Sequence, residues 1–149
     1  MHLSSWLNRL QRKVRRSELH RRRRSQPAAE ALETRTLLTV TSVVIGTELS
    51  VFADGADQIT VRQSATGLVE VANANGPLGN IPALASTLLT KLTIEGGDGD
   101  NLIDVSSMTA TQFPLLTSII INARNGNDRI TGSDAFGESV LAGDGIDTL

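Results

Sequence analysis

The 149-residue chain has no cysteine and no tyrosine, and its two histidines, His2 and His20, both fall within the first twenty positions. Without cysteine there is no disulfide framework, no thiolate nucleophile and no zinc–thiolate site. From position 26 onward tryptophan is missing as well. A Ser-His-Asp or Cys-His apparatus therefore has no base to draw on in that body. The sequence contains no run of eighteen apolar residues, so it offers no candidate transmembrane helix.

Positive charge is scarce outside the N-terminus. Residues 1–35 carry ten Lys/Arg against three Asp/Glu, and residues 36–149 carry four against thirteen. The overall charge of −2 thus hides a basic tail joined to an acidic body. In residues 1–24, Leu3, Trp6, Leu7, Leu10 and Val14 recur at helical spacing among Arg9, Arg12, Lys13, Arg15 and Arg16. His20–Arg24 is then too like-charged to pack. The segment reads as a basic amphipathic helix for an anionic membrane surface or export machinery, or as a disordered basic tail. Phosphate neutralisation on nucleic acid is a third reading, against which the acidic body argues. A secretory signal peptide is not evident, because the apolar run 37–45 is interrupted by hydroxyl residues and lacks a small-x-small cleavage site. That run is expected to be a first strand.

Leu32, Glu33, Arg35, Leu37 and Leu38 form an LExRxLL pattern with Thr34 at its third position. It resembles the LEPR-type motif that follows an Arg-rich leader on many large surface or exported bacterial proteins, with Thr34 where Pro is usual. The resemblance implies an exported or cell-surface location.

From Thr39 the composition turns to Val, Thr, Ile, Gly and Asp, which favours strands and tight turns. Residues 58–63 and 68–72 flank 64–67, which predicts a hairpin with Gly67 left-handed. Residues 73–82 read as loop, and 83–89 as a single helical turn or an irregular approach. Residues 88–106 then recur at 115–133, a shift of 27, with seven of nineteen positions identical. A partial copy follows 19 residues later, at 140–149. Periods in the twenties are the mark of solenoids. Each copy has an apolar strand (91–95, 118–122), a Gly/Asn/Asp bend and a shorter strand (102–105, 129–131), with 106–114 as the return path. Stacking places Leu92 and Ile94 over Ile119 and Ile121, and Ile103 over Ile130. The expected fold is all-β: a parallel β-helix or β-roll solenoid of about three coils, preceded by a β-hairpin region and the basic N-terminal segment. The expected divisions are a leader at 1–38, a strand and hairpin cap at 39–82, and repeats at 83–149. Ending at position eight of a repeat, the chain reads as the N-terminal piece of a longer repeat protein, or as one whose last coil docks on a partner.

The bends carry the candidate chemistry. In 96–104, Gly96, Gly97, Gly99 and Ile103 match G-G-x-G-x-D-x-U-x, with Asn101 in place of Asp at position six. In 123–131, Gly126, Asp128 and Ile130 match, while Ala123 and Arg124 stand for the leading glycines. Gly143, Gly145, Asp147 and Leu149 match in the last copy, and Gly55, Asp57 and Ile59 in a weaker one at 52–60. The pattern resembles the haemolysin-type (RTX) calcium-binding nonapeptide. The resemblance implies Ca²⁺ held between neighbouring coils by position-six Asp side chains and loop carbonyls, hard oxygen donors of the kind that ion takes. The candidate ligands are Asp98, Asp100, Asn101, Asn125, Asn127, Asp128, Asp144 and Asp147. Asp128 and Asp147, stacked as like charges, call for a cation or a shared proton between them. Arg124 is expected to neutralise Asp98 or Asp100 in place of a metal. The competing reading is that these Asn, Asp and Gly residues are only turn formers, bonded to one another without metal.

Function follows as a non-catalytic, calcium-stabilised solenoid module for adhesion or display, with surface polysaccharide or cell-surface proteins as partners. Some parallel β-helices are calcium-dependent polysaccharide lyases. Here only Arg62, Lys91, Arg124 and Arg129 are available as basic residues in the body, and an enzyme reading rests on fold analogy alone.

Overall fold

A computed structural model describes residues 40–79 and 81–149. The basic segment and the LExRxLL pattern lie outside the described residues. Residues 37–149 form one compact unit.

The described chain is all-β. Its strands are β1 (Thr41–Ile45), β2 (Glu48–Phe52), β3 (Gln58–Gln63), β4 (Val69–Asn73), β5 (Gly76–Pro77), β6 (Lys91–Glu95), β7 (Leu102–Asp104), β8 (Ser118–Asn122), β9 (Arg129–Thr131) and β10 (Glu138–Leu141). They make two five-stranded sheets, ordered β1-β2-β6-β8-β10 and β5-β4-β3-β7-β9. In the first, β2, β6, β8 and β10 are parallel neighbours, and in the second β3, β7 and β9 are.

The all-β class is as expected, but both sheets are mixed and they are not a closed solenoid of three parallel coils: antiparallel strands pair at one edge of each. The antiparallel edges have a local cause. Ile45 and Glu48 are joined by a two-residue turn in which Gly46 sits at φ 62°, the left-handed value that tight hairpins demand. Gly67, at φ 79°, does the same between β3 and β4. The expected helical turn is a single 3-10 turn at Ser86–Leu88, and the 73–82 loop includes the short β5.

The parallel register sets the core. Leu49, Leu92 and Ile119 line up in one row, and Val51, Ile94, Ile121 and Val140 in another. Ile59, Ile103 and Ile130 form a third in the other sheet. The side chains of both sheets meet in one buried cluster, completed from the 106–116 segment by Met108, Phe113 and Leu116. Burying each large aliphatic is worth roughly 1.5–3 kcal/mol, so these rows hold neighbouring strands in step. The first row ends in Glu138, paired with Ile119, whose carboxylate accepts from the Ser133 N–H at 2.5 Å.

Candidate functional site

The register that aligns the strands also stacks the bends between them. Bends 53–57, 96–101, 123–128 and 142–147 follow β2, β6, β8 and β10. Close approach at this corner excludes side chains. A Cβ on Gly96 would lie 2.6 Å from the Ala123 carbonyl oxygen, and one on Gly126 would overlap the Gly99 carbonyl. Gly99 and Gly126, at φ 121° and 132°, also adopt backbone that other residues rarely reach.

Three columns of side chains result. On the outside, Asp98 accepts from the Asn125 side-chain amide at 2.9 Å, and Asn125 bridges to Asp144 through the backbone. Next to it, Asp100 accepts from the Asn127 backbone N–H at 2.8 Å and side-chain amide at 3.2 Å. Asn127 in turn accepts from the Ile146 N–H at 3.0 Å. The third column is inward and shielded. Asn101 Oδ1 accepts from the Asp57 N–H at 3.1 Å, Asp128 Oδ1 from the Asn101 N–H at 2.7 Å, and Asp147 Oδ1 from the Asp128 N–H at 2.9 Å. Each of these side chains reaches back to the bend before it. Asp57, Asn101 and Asp128 are buried.

All eight candidate ligands thus fall on one corner, in successive bends. Asp57 joins them: the sequence pattern matched it in the weaker copy at 52–60, but it was not among the candidate ligands. Its bend is one residue shorter than the others, and β2 pairs with β6 across 43 residues instead of 27. The signal was the Asp57–x–Ile59 spacing, shared with Asn101–x–Ile103, Asp128–x–Ile130 and Asp147–x–Leu149. Arg124 corrects another expectation. Its guanidinium lies 3.4 Å from Glu95 Oε2, while Asp98 and Asp100 bond to asparagines. Arg124 takes φ 70°, the sole positive φ outside glycine among the described residues.

The two inner gaps differ in one atom. Between bends 96–101 and 123–128, Asn101 Nδ2 donates to the carbonyls of Gly97 and Gly99, each at 2.8 Å, and approaches that of Ala123 at 3.3 Å. Every polar atom of that side chain is engaged. In the next gap Asp128 Oδ2 is buried with no hydrogen-bond partner, one of two such side-chain atoms among the described residues. A buried, unsatisfied polar atom costs on the order of 1–3 kcal/mol, more when charged. A divalent cation would answer it, with Asp128 and Asp147 as carboxylate ligands and loop carbonyls completing the shell. Among the described residues no three His, Cys, Asp or Glu side chains converge as a metal group, so such an ion would lean on the backbone. Comparison with family models, curated proteins and solved structures yields no match.

Proposed function

We propose that residues 40–149 are a short, open, solenoid-like stack of parallel strands and bends, non-catalytic, that takes Ca²⁺ between bends 123–128 and 142–147. The orphaned, buried Asp128 Oδ2 beside Asp147 is the observation that carries this reading. The ligand set narrows accordingly. Asp98, Asp100, Asn125 and Asn127 act as hydrogen-bonded struts, Asp144 joins through its backbone alone, and Asn101 belongs to a gap already filled. Calcium is then a folding ligand. It contributes RT ln(1 + [L]/Kd), or about 2.7 kcal/mol at a hundredfold excess over Kd.

The LExRxLL-like leader supports export, so the module acts outside the cell, in adhesion or display. There it meets surface polysaccharide or other cell-surface proteins, and the leader meets the export machinery or an anionic membrane. The hydrogen-bonded outer columns favour a second reading, in which the bends are structural and metal-free. Calcium titration followed by far-UV circular dichroism and thermal melting, with magnesium as control, separates the two. A saturable, calcium-selective rise in melting temperature supports the first. A melting curve indifferent to calcium leaves the second.

A further inference from the structure

The carbonyls of Gly97, Gly99 and Ala123 converge from two bends on a single point, as the ligands of a hard cation do. The point is taken by Asn101 Nδ2. The amide's orientation is set by its surroundings, because Oδ1 must accept from the Asp57 N–H and only a donor can face three carbonyl oxygens. Asn101 is 2 % exposed, so water has little access to the arrangement.

We propose that the Asn101 side-chain amide is a built-in substitute for a cation, closing the gap between bends 96–101 and 123–128 to metal. Asn101 is therefore the residue that sets the ion content of this gap. The chemistry is a one-atom exchange. With aspartate at 101, the atom facing the three carbonyls becomes a carboxylate oxygen, which leaves four oxygens in mutual contact with no hydrogen between them. That arrangement repels itself when empty and suits Ca²⁺ when filled. This claim stands on the Asn101 geometry alone; only the assignment of an ion to the neighbouring gap rests on the function proposed above.

The test compares the full chain with its N101D and N101A variants, titrated with calcium chloride and with magnesium chloride as control. Bound equivalents are read by calorimetry and melting temperature with and without EDTA. N101D is expected to bind one calcium more than the unmodified chain. In EDTA it should melt roughly 5–15 °C lower, and calcium should restore most of that loss. N101A should also melt lower, with no recovery beyond that of the unmodified chain. If N101D does not fold in EDTA, its refolding on addition of calcium supports the proposal. N101D with no added equivalent, or unfolded at every calcium concentration, overturns it. An unmodified chain that binds no calcium while N101D binds one would sustain this inference and remove the proposed function. A chain that binds calcium while N101D gains none would do the reverse.

Discussion

The gaps on either side of bend 123–128 are built from the same parts and end in opposite states. In both, a position-six side chain uses Oδ1 to accept from the previous bend's N–H. The second atom of that side chain makes the difference. Asn101 presents a donor and meets carbonyl oxygens, whereas Asp128 presents an acceptor and meets no donor. Similar parallel stacking therefore gives one self-sufficient joint and one joint with an unpartnered buried oxygen. On the proposed function, bend geometry sets where an ion would fit, and a single amide or carboxylate sets whether one is taken.

Four substitutions break or sharpen that contrast. Gly126 lies in the bend shared by both gaps, so G126A should damage both. A Cβ at φ 132° pressing on the Gly99 carbonyl should cost about 3 kcal/mol in urea denaturation. A variant as stable as the parent would mean the bends are not stacked as described. D128N should make the second gap resemble the first. Its stability in EDTA should rise by roughly 1–2 kcal/mol as the orphan oxygen becomes a donor, and its calcium response should vanish. Lower stability in EDTA would show that Asp128 Oδ2 has an unseen partner. D147N keeps the acceptor for the Asp128 N–H but removes a carboxylate. Calorimetry should show calcium affinity falling roughly tenfold or more, about 1.4 kcal/mol, with little change in metal-free stability. R124G is the smallest change. Relief of the left-handed backbone should outweigh loss of an exposed ion pair with Glu95, for a net gain of about 0.5 kcal/mol in thermal melts. Calcium affinity should stay within roughly twofold, because the Arg124 guanidinium pairs with Glu95 and not with a proposed ligand.

Much of the parallel ladder was legible in the sequence, because a 27-residue repeat puts like on like. Leu92 over Ile119, Ile94 over Ile121 and Ile103 over Ile130 are the pairs that hydrophobic matching demands. The Gly67 hairpin was legible too, since few other residues take that backbone. The antiparallel β1 was not, because Gly46–Thr47 is a weak turn signal beside the repeat. Asp57 was visible as a motif match at 52–60, but its shortened bend kept it out of the set of candidate ligands. At the site, residue spacing brought the Asn and Asp side chains to one corner but could not say what each would meet. Arg124 finds Glu95 at the end of the neighbouring strand β6, a cross-strand contact that linear spacing does not announce. The destination of the Asn101 amide depends on which way three carbonyls point, and no side-chain pattern records that.

The most direct test is the number of calcium ions bound by the intact chain, counted by calorimetry with magnesium as competitor. One calcium per chain, lost in D128N, is the expected result. Two ions per chain, or a single ion that survives in D128N, would contradict the division between a joint closed by an amide and a joint open to a cation.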